Sequence, residues 1–433
     1  MTDLSQLEAT AVEGTQVSTN FIPGIRSGVT FLPEPEPRTQ HYTVISVDDH
    51  LVEPAHLFEG RLPKKYQAVA PRVLETELGQ QMWCYEDRLV ANFSVNAIVG
   101  RPIEEGSFDA SRFDEMRRGC WDIHARIHDM DINGIAASLN FPSGLSGFAG
   151  VRYSMSKDPE YGYAVMRAYN DWHLEEWAGT DPDRIIPCQI TWLQDAELAA
   201  AEIRRNAERG FTAVSFPDNP ELLGLPSLQT RFWDPFVRAC EETDTVICIH
   251  VGSNGRLMGV ASDAPLDATT VLFPVNSIVT AVDWLFSRLP VSFPKLKIVL
   301  SEGGIGWVPM LLDRLNFCIR DNHAGYADTW RNIEISPSDL LLRNFYFNSI
   351  EDPAGYALRH RIGVENIMVE SDYPHPDSTW PDTQEVLRSQ LKEFPREETD
   401  LITYKNAERV FRHPLPGHLV QSALQSVAAN DVA

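Results

Sequence analysis

The chain has 433 residues, 43% of them hydrophobic and 23% charged, a globular composition with length enough for a large core. Its 37 Lys and Arg stand against 61 Asp and Glu, a formal charge of −24. That balance argues against nucleic acid or an anionic membrane as partner and leaves some carboxylates as candidate metal ligands.

Residues 1–40 lack periodicity and end in Leu32-Pro-Glu-Pro-Glu-Pro-Arg38. They read as an extended N-terminal arm, either mobile or laid across a neighbouring subunit in a homo- or hetero-oligomer. The first twenty residues are polar, unlike a signal peptide. No apolar stretch is expected to reach the ~20 residues that span a bilayer, so a cytoplasmic location is expected. The six cysteines show no CxxC pair and read as buried, reduced thiols.

From 41 to 412 short apolar runs alternate with segments of 3.6 periodicity, the pattern of a parallel sheet with crossover helices. The runs fall at 42–47, 136–141, 185–190, 213–216, 246–250, 298–300, 345–348 and 367–369. Helical segments are expected at 111–129, 161–178, 196–209, 233–242, 275–288, 308–320, 354–362 and 383–391. Within the long first crossover, 82–96 alternates around Glu86-Asp87 and reads as an inserted hairpin. Eight βα units predict a closed (β/α)8 TIM barrel, followed by a tail at 413–433.

Such barrels carry their active sites at the carboxyl ends of the strands. Strand one ends Asp48-Asp49-His50-Leu-Val-Glu53, strand five ends in His250, strand six is followed by Glu302-Gly-Gly, and strand eight by Glu370-Ser-Asp372-Tyr-Pro-His375. In a pleated strand Asp48 and His50 share one face. Ionisable groups ending four strands of one barrel converge on a small volume, and burying them without a cation is costly. Carboxylate with imidazole suits zinc, iron or manganese.

These motifs together resemble the amidohydrolase superfamily over roughly residues 40–412, and most closely its branch related to aminocarboxymuconate semialdehyde decarboxylase. The resemblance implies one divalent metal on Asp48, His50, His250 and Asp372. Decarboxylases of that branch place a catalytic histidine after strand six; this chain has Glu302 there. A carboxylate serves as a general base, or as a proton donor if its pKa is raised.

Glu53, Glu302 and His375 bring the candidate ligands to seven, more than one metal with open positions uses. Strand four, Ala213-Val-Ser-Phe-Pro-Asp218, lacks the lysine that hydrolytic two-metal relatives use as a bridge. The carboxylate-rich set is similar instead to dinuclear oxygenases, among them 2-aminoisobutyrate hydroxylases. The leading expectation is therefore O2-dependent hydroxylation of a small carboxylate or amino acid at two metals (iron, or iron with manganese), with Glu302 and Asp372 catalytic. The alternative is a hydrolase or non-oxidative decarboxylase using one zinc or manganese and a metal-bound water. A third is a non-catalytic partner of a homologous barrel. Arg256 and Asn348 are candidate substrate contacts, and Trp192 and Phe141 candidate pocket walls.

Overall fold

The computed structural model describes residues 28–420, apart from 78, 262, 266 and 321–327. Twelve strands are numbered here in chain order. β1 is Ile45–Leu51, β5 Ala137–Pro142, β6 Ile185–Ile186, β7 Cys188–Ile190, β8 Ala213–Ser215, β9 Val246–His250, β10 Ile298–Ser301, β11 Phe345–Ser349 and β12 Ile367–Val369. They form one parallel sheet in the order β6-β5-β1-β12-β11-β10-β9-β8-β7. Its two ends, β6 and β7, are separated in the chain only by Pro187. Proline has no N–H to give to a ladder, so one strand is split there. The sheet closes on itself as a (β/α)8 barrel.

Alternation along the strands fills two layers. Val47, Leu139, Cys248, Val299 and Met368 belong to the interior cluster. Val214, Phe216, Ile249, Leu300 and Val369 face the surrounding helices. These include α1 (Ile123–Asn133), α2 (Pro159–Trp172), α3 (Ala196–Arg209), α4 (Asp234–Thr243) and α5 (Phe273–Ser287). Phe216 is fully buried, stacked on Phe236 at 5.0 Å and edge-on to Trp233 and Trp284 at 5.0 and 5.8 Å. Removing a ring packed on all sides loses its transfer energy and leaves a cavity. Phe216→Ala is therefore expected to cost about 3–5 kcal/mol, visible as a lower urea midpoint.

Several expectations are corrected. Residues 111–122 form two short 3-10 turns, Phe113–Glu115 and Arg118–Cys120, and α1 begins only at Ile123, where Asp122 caps the N–H groups of His124 and Ala125. The inserted hairpin is β3 (Gln81–Tyr85) with β4 (Arg88–Ala91), turning through positive φ at Glu86 and Asp87, and β2 (Arg72–Glu75) adds a third strand. The run Asp267–Ser287, 21 residues of mean hydropathy 1.3, is long and apolar enough to cross a membrane; no such run was expected. It lies in the crossover from β9 to β10, with Ala281, Trp284 and Leu285 buried. Residues 1–27 and 421–433, most of the arm and the tail, lie outside the described residues. The rest of the arm packs on its own barrel: Leu32 N–H donates to Gly100 O (2.8 Å), and Arg38 N–H to Ile132 O (2.9 Å).

Candidate metal centre at the mouth of the barrel

Strict alternation would have turned Asp48 and His50 away from the site. Ile45 and Val47 already occupy the interior, and Asp49 would follow them. Between Ser46 and Asp49, however, β1 carries one residue more than β5, its partners being Ser138 and Asn140. This bulge reverses the parity and re-aims Asp48 and His50 into the mouth. Asp49 becomes a clamp instead, accepting from Ser46 Oγ (2.9 Å), Ser371 Oγ (2.6 Å), Tyr373 N–H (3.1 Å) and Ser138 Oγ.

His250 needs no such device, because Val246, Cys248 and His250 share the inward face of β9. Glu302 and Asp372 follow β10 and β12 with φ of 62° and 49°. Left-handed backbone is costly for such residues. At Glu302 it bends the carboxylate back toward the mouth from a position that alternation would send outward, whereas Asp372 keeps the inward parity of Met368.

The donors converge. His50 Nε2 lies 3.0 Å from His250 Nε2, and 3.4 Å from both Asp48 Oδ1 and Asp372 Oδ1. Asp48 Oδ2 is 3.6 Å and Glu302 Oε2 3.5 Å from His250 Nε2. His375 stacks on His50 at 3.8 Å, with Nδ1 3.1 Å from Asp372 Oδ1. His250 Nδ1 sits 2.7 Å from the Val251 carbonyl, which accepts only if Nδ1 carries the proton; Nε2 then presents its lone pair. Asp48 and Asp372 are fully buried, yet none of their four carboxylate oxygens has a hydrogen-bond partner. Two unpaired buried carboxylates beside facing imidazole lone pairs form a donor set that fits a divalent cation.

Burial, reinforced by neighbouring carboxylates, raises Asp48, Asp372 and Glu302 well above the usual carboxylate range. Glu370 is pushed up to about 8, also by burial. Burial likewise holds His250 near 3 and His375 near 4, so both imidazoles are neutral at physiological pH. Metal uptake must therefore strip protons from the carboxylates but none from these imidazoles. Apparent manganese affinity is expected to rise with pH, with protons released on binding. Calorimetry in two buffers of different ionisation enthalpy measures that release.

The other expected residues are placed as follows. His375 joins His50, His250 and Asp372, all donor atoms within 4.8 Å of one another; Glu302 joins Asp372 and Asp377 in a second such group. Glu53 is in neither: it is fully buried, and its Oε1 accepts from Ser146 N–H (2.8 Å). Asn348 donates to Ser301 Oγ (2.9 Å) beside Glu370. Arg256 is exposed. Trp192 is buried against Tyr163 of α2 at 5.5 Å. Phe141 does wall the site, 5.7 Å from His50 and 5.4 Å from His250.

Sequence reasoning missed Phe148, whose ring lies 4.7 Å from His50 and 4.6 Å from His250. It also missed Asp377, two residues beyond His375 in the same proline-rich turn. Asp218 at the end of β8 accepts from Asn254 N–H (2.9 Å) and so braces the loop after His250.

A sequence profile described as amidohydrolase matches residues 55–413. Among solved structures, an amidohydrolase from Mycobacterium avium subsp. paratuberculosis superposes with a TM-score of 0.64 at 23% identity, over 86% of this chain and 99% of that one. A 5-carboxyvanillate decarboxylase from Novosphingobium aromaticivorans, solved with manganese and a nitrobenzoic acid, gives 0.60 at 18%, over 88% and 99%. A dihydroxybenzoic acid decarboxylase from Polaromonas sp., with manganese and 2-nitroresorcinol, gives 0.58 at 18%, over 86% and 97%. At such identities the three structures speak for the barrel alone. The profile spans most of the chain, and the protein belongs to the amidohydrolase family.

Proposed function

We propose that the chain is a divalent-metal-dependent enzyme that removes CO2, without an external oxidant, from a small aromatic carboxylate. Asp48, His50, His250 and Asp372 hold the cation, manganese being the ion in two of the neighbouring structures. The observation that carries the reading is the pair of buried carboxylates with no hydrogen-bond partner, facing two imidazole nitrogens at the barrel mouth. When bound, a divalent cation supplies Lewis acidity toward a substrate oxygen.

The chain's own residues supply the rest. Phe141 and Phe148 keep water from the donors and offer ring faces to a planar substrate. When the bond to the departing carboxylate breaks, its electron pair stays on the ring carbon, which must take a proton. Glu302 stands at the site with a carboxyl shifted upward, so it holds that proton. The printed substrates of the neighbouring decarboxylases make hydroxylated benzoates the first panel to test. In D2O the product should carry one deuterium at the carbon that lost CO2, read by NMR. A product that instead gains solvent oxygen and releases no CO2 moves the assignment to a hydrolase on the same donors.

A second reading rests on one observation. Asp372 belongs both to the imidazole group and to the Glu302–Asp377 group, so a second cation there would share it. Two iron ions, or iron with manganese, would then support O2-dependent hydroxylation. That reading requires two metal equivalents per chain and consumption of O2. The decarboxylase neighbours favour the first.

A further inference from the structure

Arg126, on α1, is fully buried, and among the described residues no carboxylate lies in ion-pair range of it. A guanidinium withdrawn from water is normally kept by a paired acid. Here it is kept by carbonyls and rings. Nε donates to Gly119 O at 2.8 Å, one terminal nitrogen donates to the carbonyl of His50, and the other has no partner. The guanidinium lies 4.1 Å over the ring of Tyr373 and 5.5 Å from Trp177. Gly119 leaves room for the Asp129 carboxylate and the Tyr373 hydroxyl beside it, since a Cβ there would stand 2.1 Å from Asp129 Oδ2 and 2.6 Å from Tyr373 Oη.

The His50 peptide is thereby fixed at both ends. Its carbonyl accepts from Arg126, and its N–H donates to Tyr373 O at 2.6 Å. Tyr373 follows Asp372 directly, and its hydroxyl donates to Asp129 Oδ2 at 2.5 Å. Asp372 N–H in turn donates to Asp48 O at 3.0 Å. Three proposed ligands, from opposite ends of the sequence, thus meet in one backbone network. Arg117 pairs with Asp129 at its edge (2.6 Å), while Arg126 is the cation that bonds a ligand's own backbone. An aliphatic residue would pack this position without burying a charge.

We infer that Arg126 is a positioning residue for the metal centre, setting the His50 imidazole through its peptide and registering it against Asp372. It touches neither cation nor substrate. Partners that orient a ligand typically cost 10–100-fold in metal affinity when lost. Lysine keeps the charge but cannot span two carbonyls while stacking on a ring.

The inference rests on the metal reading, and the test separates the two. Protein stripped with chelator is titrated with Mn2+ by calorimetry, and the melting temperature of the metal-free form is recorded. Wild type, Arg126→Lys, Arg126→Met and, as a remote control, Arg184→Met are compared. Arg184 is also nearly buried and bonds the carbonyls of Ile135 and Ala136 at the opposite end of the barrel. Arg126→Met is expected to bind Mn2+ about 10–100-fold more weakly, with Arg126→Lys intermediate and Arg184→Met at the wild-type value. Cobalt-substituted Arg126→Lys should also shift its visible spectrum. Should Arg126→Met not fold, Arg126→Lys decides alone. Wild-type affinity in the Arg126 variants, or an equal loss in Arg184→Met, overturns the inference and leaves the metal reading standing. A wild type that binds no Mn2+ overturns the metal reading itself.

Discussion

His250→Ala is expected to reduce bound metal from stoichiometric to background and turnover to the uncatalysed level. His250 ends the strand opposite β1, and its Nε2 is the donor nearest to His50, at 3.0 Å. The Nδ1 contact to Val251 O leaves the Nε2 lone pair facing the other donors, and alanine removes it. Alanine leaves Asp48 and Asp372 buried and unpartnered with one imidazole fewer. The carboxylates then hold their protons rather than a cation. The loss should exceed the 10–100-fold typical of an orienting partner, while far-UV circular dichroism stays unchanged, because the barrel interior below is closed by Cys248 and its neighbours. Stoichiometric metal in dialysed His250→Ala would remove this residue from the ligand set.

Glu302→Gln carries the second large effect. The side chain is isosteric but has no proton to give to carbon. General acid–base groups contribute about 10²–10⁴-fold, so turnover should fall by that order with metal content unchanged. Burial first, then Asp377 and Glu370, raises the Glu302 pKa. The acid form is the populated one below that raised value. Wild-type activity should therefore decline as pH rises through it, and the variant should lack that limb. Loss of one of two metal equivalents in Glu302→Gln, with loss of O2 consumption, would instead make Glu302 a ligand and favour the two-metal reading.

The barrel was legible because strand alternation and crossover periodicity repeat eight times, and the residues following the strands stand out against apolar runs. The apolar runs 246–250 and 367–369 coincide with β9 and β12 to the residue. What was not legible is what bends the chain locally. The bulge between Ser46 and Asp49 leaves no mark in sequence, where a plain pleat places Asp48 and His50 on one face without showing which face is inward. The left-handed turns at Glu302 and Asp372 are likewise invisible in residues that rarely adopt them. Glu53 falls close to His50 in sequence, but its Oε1 accepts from Ser146 N–H while its Oε2 has no partner. Asp377 and Phe148 come from loops, where proximity depends on tertiary packing rather than spacing.

The central claim is that one divalent cation at this mouth serves a reaction needing no oxidant. The most direct measurement is CO2 release from hydroxylated benzoates by manganese-reconstituted protein, sealed from oxygen, beside the same protein in air and after chelator treatment. The account predicts equal rates with and without oxygen, one CO2 per product, and no turnover after stripping. A rate that disappears when oxygen is removed, or one that survives complete removal of metal, would contradict it.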